Sequence, residues 1–240
     1  MSILKSAFFI LFFIYSFHVK AQTAQQVISK YIEFTGGEKQ WKTVRSIKTS
    51  GIYNYGGKLF PFTSYSKAPD LYKVMVSLNE KYFAQAYDGK QGWKIDAFNN
   101  ETKPTFLSGK YALAMMNEAD VELESAFINY RKKGHEAILE GKDTVDSKTC
   151  FRIKFIRKDG DTTTYFFNSE NFELVMKSAV SKNTEMNNAV LDTYYSDYRE
   201  INGVKFPFSS ISKLKEQTIL AITIEKIEIN VDIPDKEFQP

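Results

Sequence analysis

Thiol, imidazole and metal chemistry have little to work with in this chain, which holds one cysteine and two histidines among 240 residues. Cys150 can form no disulfide within the chain, and it adjoins the alternating run Phe151, Ile153, Phe155, so it reads as a buried strand residue. His135 follows a helix-like ending, "RKKGH", where a solvated cap is a simpler role than proton transfer. No Cys/His set has metal-ligand spacing, and neither a glycine-rich phosphate loop nor a Gly-x-Ser-x-Gly elbow occurs. The "DGD" of Asp159, Gly160 and Asp161 offers two carboxylates, but Asp159-Gly160 already serves as a tight turn. Neither an enzyme, a cofactor nor a metal is expected.

Long apolar runs are missing as well. The segment "AFFILFFIYSF", Ala7 to Phe17, has 11 residues, whereas a spanning helix needs roughly 20. Lys5 precedes it, and Val19 and Ala21 suit the −3 and −1 positions of a secretory signal peptide cut after Ala21. Cleavage would remove Lys5 and Lys20 and leave 30 basic against 29 acidic residues. A balance so close to neutral excludes nucleic acid as the main partner. No cysteine follows the cut, so the new N-terminus is not expected to carry lipid. Residues 22–240 are long enough to bury a core without disulfides, and one domain is expected.

The first element reads as a helix. Val27, Ile28, Tyr31 and Ile32 share one face, and Gly36-Gly37 stops it. A short turn, "EKQWKTV", then docks Trp41. Five strands follow between Ser46 and Asp96, turned at Gly56-Gly57, Pro69-Asp70, Asn79-Glu80 and Asp88-Gly89. The Gly-Gly turn sets Tyr53 opposite Phe60 and Gly51 opposite Phe62. "AFNNETKPTFLSG" reads as loop. A helical pair comes next, one member holding Leu113 and Met116, the other capped by Asp120 and carrying Leu123, Phe127 and Tyr130.

Strands return from Glu136 to Asp232, giving roughly twelve in all. Asp159-Gly160, taken as a two-residue turn, sets Phe155 opposite Thr164 and Ile153 opposite Phe166, with Tyr165 and Phe167 on the solvent side. Asn202-Gly203 sets Ile201 opposite Val204, Glu200 opposite Lys205 and Asp192 opposite Lys213. Pro207 then lacks a donor toward its other neighbour, which predicts an interrupted ladder there. In the last strand Leu220, Ile222 and Ile224 are even, but Ile227, Ile229 and Val231 are odd. This parity shift predicts a bulge near Glu225-Lys226 and a curled sheet.

Aromatics are plentiful, with 14 Tyr and 20 Phe. Any one of them on a strand is ordinarily core. However, "GIYNY", "LFPF", "KYFAQAY" and "TYFF" place apolar groups at both parities, so both faces are covered or one surrounds an apolar cavity. The candidate wall and lid residues are Tyr53, Phe60, Phe62, Met115, Met116, Tyr195, Arg199, Phe206 and Phe208. Met115 and Met116 fit an adaptable lid or plain helix packing equally well. Arg199 either pairs with Asp197 or meets a polar group of a ligand at the cavity mouth.

The order of these elements resembles the LolA/LolB-like lipoprotein carriers and the related outer membrane lipoprotein-sorting proteins of gram-negative bacteria. The matching stretches are "AQQVISKYIEFTGG", "AYDGKQGWKID", "ESAFINYRKKGHEAILEGKD" and "YYSDYREINGVKFPFSSI…ITIEKIEIN". They span nearly all of residues 22–240 as pattern and order, with no diagnostic catalytic motif among them. The resemblance implies a mainly β fold, a curled antiparallel sheet forming an unclosed β-barrel covered by helices, and a periplasmic location. It also implies that the cavity holds lipid or lipoprotein acyl chains. An interaction or stress-sensing module of the same fold, docking envelope membrane proteins and moving no cargo, is the second reading.

Overall fold

The protein is described by a computed structural model covering residues 22–240, except 125–126, 183–185 and 187 and the side chains of 110 and 120–124. The signal-peptide expectation for residues 1–21 lies outside the described residues. The first helix, α1 (Ala24–Phe34), opens with a capping box in which Thr23 Oγ1 accepts from Gln26 N and Gln26 Oε1 accepts from Thr23 N. Gly36 and Gly37, both at positive φ, end it, and α2 (Glu38–Trp41) follows.

Thirteen antiparallel strands form one open sheet, one strand more than the sequence count. The first six are β1 (Ser46–Tyr55), β2 (Lys58–Lys67), β3 (Leu71–Leu78), β4 (Lys81–Asp88), β5 (Gly92–Asp96) and β6 (Glu101–Phe106). The next three are β7 (Glu136–Val145), β8 (Lys148–Ile156) and β9 (Thr162–Asn168). The last four are β10 (Leu174–Val180), β11 (Val190–Ile201), β12 (Val204–Leu214) and β13 (Gln217–Ile229). Two meanders run outward from a central β1–β13 pair, leaving β6 and β7 as the two edges. The extra strand is β6, in the stretch read as loop. Its six residues are all exposed and include Pro104, so neither apolar alternation nor burial marks it.

Turn chemistry decides which side chains face inward. Gly56-Gly57 gives the expected pairs Tyr53–Phe60 and Gly51–Phe62. Asn202-Gly203 gives Ile201–Val204, Glu200–Lys205 and Asp192–Lys213. The β12–β13 ladder begins only at Ser209, so Pro207 needs no donor there. Ser50 pairs with Lys226 and Gly51 with Ile224, leaving Glu225 as the extra residue of the anticipated bulge. The β8–β9 hairpin departs from expectation. Arg157 N donates to Asp161 O, which closes a three-residue loop with Gly160 at positive φ. The register therefore slips by one, to Phe155–Thr163 and Ile153–Tyr165. Tyr165 and Phe167 turn inward and are buried with Ile153 and Phe155, while Phe166 joins Cys150 in a separate cluster.

The chain between the two edge strands crosses back over the sheet. It does so as a single helix, α3 (Gly109–Glu124), followed by a turn-rich stretch, not as the expected helical pair; Asp120 lies inside α3. Met115 and Ala119 of α3 pack on Phe62, Tyr72 and Tyr87 at one side of the sheet. Phe127 and Tyr130 pack with α1 on Phe155, Tyr165 and Phe167 at the other. Each large apolar side chain fully buried this way contributes about 1.5–3 kcal/mol. The result is an unclosed barrel with two separate helical covers and a space between them.

Candidate functional site

That space is a cavity of about 390 Å³, within the size range of small-ligand sites. Its wall changes character along the strand order. On the side of β1, β2, β3 and β13 it is apolar, formed by Tyr53, Phe62, Tyr72, Ile222 and Ile224. Gly51 makes room for this wall, because a Cβ there would crowd the Phe62 ring and the Thr223 carbonyl. Small hydroxyls interleave with it, Thr49 and Ser64 on β1 and β2 and Thr193, Ser210 and Ser212 on β11 and β12, with Thr193 and Ser212 sharing a 2.9 Å hydrogen bond. Trp41 and Phe206 close one flank as an edge-to-face pair, ring centroids 5.5 Å apart.

The far side, built by β9, β10, β11 and α1, is polar. Tyr31, Tyr165, Tyr195 and Tyr198 gather there, with Tyr165 and Tyr195 acting on Lys177 and Tyr31 beside Tyr198. Tyr198 donates its hydroxyl to Leu174 O at 2.9 Å. Tyr31 lies edge-on to Phe127 at 5.5 Å and tilted on Phe167 at 5.1 Å. Burial pushes the phenol of Tyr31 well above its ordinary pKa, with help from Tyr195 and Tyr165. Burial likewise raises Tyr165 and Tyr198. The Tyr195 oxygen, against the cost of burial, and the Glu118 carboxylate hold the Lys177 ammonium above the usual lysine range. The far side thus sets the Lys177 cation among phenol hydroxyls, with the Glu118 carboxylate on the covering helix.

Of the nine residues singled out from sequence, Tyr53, Phe62, Tyr195 and Phe206 line the cavity. The structure places the other five elsewhere. Phe60 sits nearer the hairpin tip against Phe98, centroids 6.0 Å apart. Met115 is buried beneath α3, and Met116 packs against the same cluster. Phe208 is buried with Val204, Ile47 and Ile227. Arg199 is exposed, bonded twice to Asp197 at 2.6 and 3.0 Å, and stacked over Phe208 at 4.4 Å.

Lys177 and Tyr198 went unnoticed in the sequence, Tyr31 was read only as a packing residue of the first helix, and Tyr165 was read as facing solvent. For Tyr198 the reason is local. Asp197 adopts φ 56, a left-handed conformation that breaks the alternation, so Tyr195 and Tyr198 both reach the cavity. For Lys177 the one available signal was a lone basic residue within "FELVMKSAV".

The groups considered for catalysis are each engaged in hydrogen bonds or ion pairs. His135 is buried rather than a solvated cap, with Nδ1 accepting from Lys158 N at 3.1 Å and its ring edge-on to Phe155. Asp159 accepts from Asp161 N and from the Asn117 amide, while Asp161 pairs with Lys182 at 2.6 Å. Among the described residues no helix is long and apolar enough to cross a membrane.

The architecture is an open antiparallel sheet curled around a helix-covered cavity that is apolar at one end and polar at the other. Solved structures share this fold. The chain is similar to a LolA superfamily protein of Nitrosomonas europaea, with TM-score 0.58 and 16% identity over 92% of this chain and 99% of that one. It is also similar to a DUF1329 family protein of Desulfovibrio piger, with TM-score 0.61 and 14% identity over 90% and 97% of the two chains. A third similar structure is a "putative outer membrane lipoprotein-sorting protein domain" of Vibrio parahaemolyticus, with TM-score 0.55 and 10% identity over 90% and 96%. No protein-family model and no curated protein matches the sequence. The fold is the one these three solved structures share.

Proposed function

We propose that this protein is a non-catalytic carrier or binding protein that holds a lipid, or the acyl chain of a lipoprotein, in its cavity. It works in the periplasm of a gram-negative bacterium after export, in outer-membrane lipoprotein sorting or a related lipid transfer. The observation that carries the reading is the cavity itself. The covers on α1 and α3 pack on opposite sides of the sheet, and the aromatic and aliphatic wall between them is left uncollapsed. Each CH₂ moved from water to such a wall contributes about 0.8 kcal/mol, so acyl chains can be retained without any reactive group. The fold similarity to a lipoprotein-sorting domain supports the same reading.

The test is native mass spectrometry of the protein purified from an envelope fraction, followed by displacement of a fluorescent fatty-acid analogue. A co-purifying lipid and saturable displacement are expected. A protein that arrives empty and takes up no analogue would overturn the carrier reading and leave the docking module, with envelope membrane proteins as its partners.

A further inference from the structure

The cavity is not uniformly greasy, and Lys177 sits where a β-strand could have offered another apolar residue. Lys177 lies on β10, between the buried Met176 and the half-buried Ser178. Among the described residues no carboxylate comes within 4.0 Å of its ammonium, although several surface lysines have such partners. Lys177 is half-buried and hydrogen-bonded to the Tyr195 hydroxyl. Only part of the several kcal/mol that taking an ammonium out of water costs is therefore at stake, and no counter-charge within salt-bridge distance offsets it. Glu118 on the covering helix α3 faces the same space, but it is exposed and beyond salt-bridge distance. Lys205 adds a second cation at the α1 flank, its ammonium 4.8 Å from the Phe34 ring centroid. The charged groups lining the cavity therefore sum to a net positive charge.

We propose that Lys177, with the Tyr165 and Tyr195 hydroxyls, is the receptor for an anionic head group, a carboxylate or a phosphate, on a ligand whose hydrocarbon chain runs toward Tyr53, Phe62 and Ile222. This rests on the carrier reading above and narrows its ligand to anionic amphiphiles. The strand order supplies the polarity. Five strand-to-strand steps separate β10 from β2, about 24 Å along the curved sheet at roughly 4.8 Å per step. The cation and the apolar wall thus face each other across a cavity that is amphipathic in the same sense as the ligand. Lys177 offers N–H donors, and the tyrosine hydroxyls offer O–H donors.

The experiment is isothermal titration of the purified protein with matched pairs below their micellar concentrations: oleate against oleyl alcohol, and lysophosphatidate against monoacylglycerol. Each pair shares its chain and differs in head-group charge. The anion of at least one pair binds roughly tenfold or more tighter than its neutral partner, the range of a hydrogen bond to a charged group. The pair that shows the preference identifies the head group as carboxylate or phosphate. In Lys177→Met that preference collapses while the neutral ligand binds as before, and Lys177→Arg retains most of it.

Equal binding of anion and neutral partner in both pairs would overturn the head-group assignment and leave the carrier reading intact. No binding of any of the four would overturn both. An unchanged preference in a folded Lys177→Met protein would remove Lys177 from the site. Should that variant fail to fold, the wild-type pairs and Lys177→Arg still decide.

Discussion

Gly51 on β1 and Phe62 on β2 are direct partners across the sheet, and the phenyl ring occupies the space over the glycine. A Cβ at Gly51 would lie 2.9 Å from Phe62 Cε1 and closer still to the Thr223 carbonyl oxygen of the neighbouring strand. The same phenyl stands 4.4 Å from the Tyr53 ring, and together the two rings form the apolar end of the cavity. A missing side chain on one strand thus seats an aromatic wall on the next.

Gly51→Val should test that relationship. The added methyls must displace either the β1–β13 backbone or the Phe62 ring, and overpacking of this kind costs about 1–3 kcal/mol. The urea midpoint should fall, and affinity for an acyl probe should fall with it as Phe62 moves. An unchanged midpoint would show that the ring moves freely, which a packed wall does not allow.

Phe206 and Phe208 separate binding from stability, although they lie two residues apart. Phe206 lines the cavity beside Trp41, whereas Phe208 is 3% exposed within the core of Val204, Ile47 and Ile227. Phe208→Ala should cost about 3–5 kcal/mol in denaturant unfolding. Phe206→Ser should weaken acyl-probe binding at a smaller loss of stability. The reverse ranking in the two assays would put the cavity wall on the wrong residue.

Arg199→Ala should leave ligand affinity where it was. The guanidinium is exposed, spends two bonds on Asp197 and lies outside the cavity lining. Hydrogen bonding from Arg199 holds the Asp197 carboxyl below the usual range, but the pair is solvated and contributes little to stability. A clear drop in affinity would mean that Arg199 turns inward when ligand is present.

What could be read from the sequence follows the same logic of turns and periods. Asn202-Gly203 admits one common loop length, so the β11–β12 pairing is correct residue by residue. Lys158-Asp159-Gly160 admits two, and choosing the shorter exchanged the inside and outside of β9. That exchange hid Tyr165. The bulge at Glu225 was visible because the apolar residues on either side of it changed parity. Asp197 gave no such sign, since its neighbours Tyr195 and Tyr198 are aromatic whichever way they point. Lys177 could not be placed, because a charge among apolar strand residues normally marks the solvent face. Only the curl of the sheet and the crossing of α3 make that face an interior.

Alkaline titration should expose the tyrosine cluster. Burial raises the folded pKa values of Tyr31, Tyr165 and Tyr198 above the ordinary 10.0. The folded protein therefore keeps protons that the unfolded chain gives up. Stability that depends on these groups is complete below about pH 10 and declines as pH rises through the raised values, because unfolding then releases protons. Lys177, also raised, acts in the same direction. Ultraviolet phenolate absorbance and circular dichroism followed together should show the cluster ionising only as the fold is lost. Tyr31→Phe with Tyr165→Phe should move that loss to higher pH, since a phenylalanine has no proton to release. Full tyrosine ionisation near pH 10 with the circular dichroism unchanged would mean that the cluster is open to solvent, and a cavity so wet could not hold an acyl chain by its apolar wall.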